Sequence, residues 1–205
     1  MNTEQKSEID SKAKLEEIFN SSNPVAAVQA LSATEIYSII QDIGLENSFE
    51  LFQFATIEQA RVILDLDLWD EWTISLERTT KWLDMILSAD DNFALNLLSN
   101  IDQELLIILL KKTLTVGGGV ADIINSEDLN REWDHTFDEV FFLRFEDEEH
   151  SDLIMKLLEL LHNENHRVYR SLMLGAESEL VTELEETAWQ FRVGRLEDEG
   201  ITVEH

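Results

Sequence analysis

NSFELFQFATIEQARVIL, residues 47–64, and DNFALNLLSNIDQELLIIL, residues 91–109, carry one pattern twice. In each, a short apolar stretch runs into a small polar residue, and a longer apolar stretch follows. A third copy surrounds Ser32. Aligning Ser32, Thr56 and Asn100 brings Glu35, Gln59 and Gln103 into register three residues downstream. That spacing is a capping box: the first side chain accepts from the backbone N–H three residues on, and the Glu or Gln reaches back to the cap's own N–H. Val25, Phe49 and Phe93 align upstream, and Ile39, Ile63 and Ile107 downstream. The offsets are 24 and 44 residues, with no gap inside the compared window. The repeating unit is therefore predicted to be a short helix, a tight capped turn and a second helix.

One such pair cannot bury its apolar face alone, whereas stacked pairs share a core. The expected fold is mainly α, a superhelical, solenoid-like stack of helix pairs. Residues 1–11 read as a flexible tail, with a first helix from Lys12 to Asn20, and 12–114 as the helical-repeat region. Asn23-Pro24 supplies an N-cap and a first-turn proline. Ser75 to Ser88 reads as a strong helix between the second and third copies. Gln103 to Leu114 is apolar nearly all round, so other elements must cover it. Residues 115–146 change character: TLTVGGG and HTFDEVFFLRF favour strands, giving a small hairpin with a loop over roughly 117–134. Residues 147–205 read as helices at 148–163, 165–174 and 181–197, stopped by Gly200 and packed with the repeats as one domain.

The chain of 205 residues carries 43 acidic and 15 basic side chains, a net charge of −28. That charge repels nucleic-acid phosphates and anionic lipid surfaces and favours a basic protein partner or cations. There is no cysteine, which excludes disulfides and thiolate metal sites. The longest apolar run, Leu105 to Leu110, is far short of the ~20 residues that span a bilayer. The polar start MNTEQKSEIDSKAK lacks the apolar core of a signal peptide, so the expected compartment is the cytoplasm, without membrane insertion.

The capped helix-pair unit, over about residues 24–112, resembles the intracellular N-terminal domain of MgtE-type magnesium transporters. ALSATEIYSIIQDIGLENSFELFQFAT, DLDLW and the closing WQFRVGRLEDEGI, in that order, resemble a bacterial family of cytoplasmic proteins, a domain of unknown function, over about residues 25–201. Members of that family tend to be longer than this chain. The resemblance implies a helical fold and no assigned activity or site.

Several short patterns raise specific chemistry. The glycines at 117–119 lack the lysine and Ser/Thr of a phosphate loop and read as a hairpin connection. His162 and His166 are four apart, a spacing that suits zinc on one helical face, but the intervening HNENH carries asparagine where a zincin has glutamate. Acid-x-x-His occurs at Glu132/His135, Asp147/His150 and Glu159/His162; a di-iron bundle needs such motifs on facing helices. In so acidic a chain these spacings also arise by chance.

DLDLWDEW, residues 65–72, is the richest stretch. Asp65, Asp67, Asp70 and Glu71 cluster oxygen donors suited to Mg²⁺ or Ca²⁺, without the glycine and distal glutamate of an EF-hand. Trp69 and Trp72 are candidate protein-binding anchors, because tryptophan is enriched at interface hot spots. Alternatively the whole stretch is a helix end whose apolar residues plug the gap between repeats.

The leading expectation is a non-enzymatic protein-interaction or regulatory helical module that meets a protein partner of basic character. The second is a divalent-cation sensor. An enzyme with a pocket that no spacing betrays comes third; no catalytic residue and no organic cofactor is nominated.

Overall fold

A computed structural model describes residues 3–119 and 132–203. Among them are eleven α-helices, and the only strands form two short antiparallel pairs. The fold is mainly α. The chain divides into two compact units, Met1–Trp69 with Arg192–His205, and Asp70–Phe191.

In the first unit, α1 (Thr3–Phe19) begins well before Lys12 and takes in most of the expected tail. Its start has no strong apolar face; polar contacts hold it instead. The Ser7 and Ser11 hydroxyls both donate to the Asp42 carboxylate, at 2.8 and 2.5 Å, and α1 packs on α3. Helix α2 (Pro24–Gln29) opens with Asn23 accepting from the Ala26 N–H and Pro24 in the first turn. Helix α3 (Ala33–Ile43) opens on the Ser32/Glu35 capping box, closed at 3.2 and 2.9 Å. Gly44, at φ +85°, stops it. Helices α4 (Phe49–Phe54) and α5 (Ile57–Asp67) repeat the arrangement with Thr56 and Gln59, at 3.1 and 2.8 Å.

These two copies pack side by side, α2 on α4 and α3 on α5. Gln59 also reaches beyond its own box. Its Nε2 donates to the Leu31 carbonyl at 2.7 Å, fastening one capped turn to the other. Ile36, Ile40, Leu51, Phe52 and Ile63 form the dry core between them.

Between α5 and α6 lie β1 (Trp69–Asp70) and β2 (Thr73–Ile74), joined by a two-residue turn. In the second unit, α6 (Leu76–Leu87) is capped by Ser75 and α7 (Asp91–Asn100) by Asp90. Helix α8 (Gln103–Thr113) follows at a 102° bend. The third capping box does not form. Asp102, not Asn100, stands at the N-cap, and its side chain makes no capping hydrogen bond to the helix start. The reason is local: α7 runs on through Asn100, whose amide donates to the Asn96 carbonyl at 2.7 Å. Gln103 instead accepts from the Ser171 hydroxyl at 2.7 Å.

The six residues Leu105 to Leu110 of α8 are all buried. Helices α6, α9 (Ser151–Glu164) and α10 (His166–Ser178) pack on α8, covering the all-apolar helix as its sequence requires. Strand β3 (Leu114–Gly118) pairs with β4 (Phe141–Phe145), in register from Leu114–Phe145 to Gly118–Phe141. The loop expected over 117–134 lies mostly outside the described residues. The glycines have steric work rather than a merely flexible role. A Cβ at Gly117 would enter the Trp133 indole, and one at Gly118, where φ is +88°, would strike the Val140 carbonyl. Helix α11 (Val181–Asp198) ends at Gly200, φ +76°, as its sequence predicts. Among the described residues, no single helix is long and apolar enough to cross a membrane.

Candidate protein-interaction site

The DLDLWDEW stretch is divided by the fold. Helix α5 ends at Asp67, and four residues later the chain turns at Glu71-Trp72. A two-residue hairpin needs positive φ in its turn. Glu71 supplies it at φ +52°, a conformation that disfavours any L side chain by about 1–2 kcal/mol. Strain of this kind survives only where the surroundings hold it. Its effect is to set out the next residue, Trp72, which is 49% exposed.

Trp72 lies against Trp189 of α11, ring centroids 4.6 Å apart and planes tilted by 38°. Helix α11 is anchored beneath this pair by Leu184 and Ala188, both buried and one helical turn apart. A single ammonium ties the supports together. Lys112 Nζ, at the end of α8, donates to the Ile74 carbonyl of β2 at 2.7 Å and pairs with Glu185 of α11 at 3.3 Å. Lys112 and Glu185 are only 27% and 17% exposed, so this pair is screened less than a surface one. On the other side of the turn, Asp70 pairs with Arg78 at 2.7 Å. The aromatic pair is thus held on fixed supports.

The other carboxylates of the stretch have separate commitments. Asp65 is buried, and the Arg195 guanidinium grips both its oxygens at 2.6 and 2.9 Å. Arg192 Nε donates to the Asp65 carbonyl at 2.8 Å, and its guanidinium lies 5.4 Å from the Trp69 ring centroid. Burial pulls the Arg192 pKa down, and the Asp65 charge opposes that shift. Trp69 itself is 5% exposed, so it is a core residue and not a surface anchor. Asp67 accepts from the Tyr37 hydroxyl and the Gln41 amide at 2.9 and 3.1 Å. Among the described residues, no three His, Cys, Asp or Glu side chains form a group that could hold a metal ion.

The histidine patterns resolve differently. Asp147 Oδ2 meets His150 Nδ1 at 2.6 Å, and Oδ1 accepts from the Glu149 and His150 N–H groups, building the turn before α9. That hydrogen bond from His150 holds the Asp147 carboxyl below its usual range. His162 and His166 sit at the α9–α10 corner with ring centroids 5.3 Å apart, packed with Phe137 and Tyr169. The Tyr169 hydroxyl is buried without a hydrogen bond among the described residues, and desolvation, with the Asp138 charge, raises its pKa. His135 exchanges backbone hydrogen bonds with Leu143 beside β4.

Sequence reasoning passes over Trp189, Lys112, Arg192 and Arg195. One signal is present for the arginines: they lie three apart on a helix, hence on one face, in a segment poor in basic residues. Nothing in the sequence pairs Trp189 with Trp72.

Residues 3–204 match the model of a family of unknown function, DUF6178. No curated protein and no solved structure matches the chain. The chain belongs to DUF6178.

Proposed function

We propose that this member of DUF6178 is a protein-interaction module that docks a partner on the Trp72–Trp189 pair. The observation that carries the reading is a half-exposed tryptophan lying against a second one beside a strained turn. Large, rigid, amphipathic rings are the side chains most enriched at binding hot spots. The Lys112 clamp adds the preorganisation that makes such contact area effective.

The alternative, a divalent-cation sensor, would draw on Asp65, Asp67, Asp70 and Glu71. The hold of Arg195 on Asp65 and of Tyr37 and Gln41 on Asp67 weighs against it.

The test compares the wild-type chain with a Trp72→Ala/Trp189→Ala variant as baits for affinity capture from cells that make the protein. A specific partner should be recovered with wild type and fall about tenfold or more with the variant, the loss of a hot spot. The melting temperature of the variant, measured alongside, guards against loss by unfolding. Equal recovery by both baits would overturn the reading.

A further inference from the structure

We infer that the partner segment seated on the Trp72–Trp189 pair is basic and places an arginine side chain against these rings; this rests on the docking reading above. Three observations point to that chemistry. The first is the charge around the pair. Glu71 directly precedes Trp72, and Glu186 lies three residues before Trp189, hence on the same side of α11; both are exposed. The second is the charge of the whole chain, −28, which draws a basic segment in and speeds its encounter.

The third is internal. This chain already uses the same contact in its core, where the Arg192 guanidinium lies 5.4 Å from the Trp69 ring centroid and its neighbour Arg195 forks onto Asp65. An indole face attracts a cation through its quadrupole, and a guanidinium is the better fit because it stacks flat while its N–H groups reach a carboxylate. Trp72 with Glu71, and Trp189 with Glu186, offer those two elements on the surface. Lysine lacks the planar fork and should serve less well.

The probe is a blocked Ala-Arg-Ala tripeptide, titrated into the 205-residue chain at constant ionic strength and followed by the indole N–H resonances of the five tryptophans. Blocked Ala-Lys-Ala and Ala-norleucine-Ala serve as comparisons. The expected result is a saturable shift confined to Trp72 and Trp189, largest with arginine. In a Glu71→Gln/Glu186→Gln variant the arginine affinity should fall about threefold, the scale of exposed charge pairs. Equal shifts with norleucine, or with lysine, would overturn the arginine assignment and leave the docking surface standing. Uniform small shifts at all five indoles would reduce the effect to non-specific charge and overturn the assignment too. No shift at Trp72 or Trp189 with any tripeptide would overturn the arginine assignment, while the docking reading would stand or fall on the capture experiment.

Discussion

Asp65 shows how far a single residue can be read from sequence. Its place in DLDLW marks it as an oxygen donor among other acids, yet its partner Arg195 is 130 residues away. Periodicity and spacing report on neighbours; they carry no information on which distant side chain closes a contact. The result is a buried carboxylate whose charge is matched inside the first unit. Removing one member of a buried pair leaves the other uncompensated, which costs about 3–5 kcal/mol. Because Arg195 keeps 20% exposure, the lower end applies: Asp65→Asn should destabilise the fold by about 3 kcal/mol in urea unfolding. A change below about 0.5 kcal/mol, the level of an ordinary surface substitution, would contradict the role assigned to this pair. Trp72 is legible as a candidate interface residue because tryptophan in an acidic turn is conspicuous, and it is exposed. Trp69, three residues earlier, has the same composition around it but ends in the core, a difference that only packing decides.

At the scale of elements, the sequence is most informative where the determining interactions are local. The capping boxes at Ser32/Glu35 and Thr56/Gln59 form as their spacing predicts. The third copy fails because α7 continues through the expected cap. The start of α1 escapes the pattern for the opposite reason, since its anchors on Asp42 are tertiary. The two boxes differ in one testable way. Glu35 titrates, whereas Gln59 does not. The backbone N–H of Ser32 and the Lys14 ammonium hold the Glu35 pKa below the usual carboxylate range. A depressed folded pKa means that this stabilisation is complete above the unfolded pKa and is lost as pH falls through the folded value. Glu35→Gln keeps the box geometry and removes the proton. The variant should therefore lose less melting temperature than wild type on acidification through the carboxylate range, and the two should behave alike near neutrality apart from a constant offset. Parallel curves down to the acid limit would show that the Glu35 box carries no pH-dependent stability.

At the scale of the whole molecule, the mainly helical fold follows from capped, apolar repeats and almost no proline. The division into two units does not, because the longer offset before the third copy hides a change of partners: α8 is covered by α6, α9 and α10, while the first two copies pack on each other. The distant segments DLDLW and WQFRVGR are joined physically, since Asp65, Trp69, Arg192 and Arg195 meet in the first unit. On the proposed reading, the net charge of −28 selects for a basic partner, and the tryptophan pair of the second unit is the point at which it docks. The most direct measurement of that claim is site-specific photo-crosslinking in cells that make the protein. A benzoylphenylalanine replaces Trp72 in one variant and the exposed Ile9 in another. The account predicts a defined cross-linked polypeptide from position 72 and none of that size from position 9. The same product from both positions, or none from position 72, would contradict it.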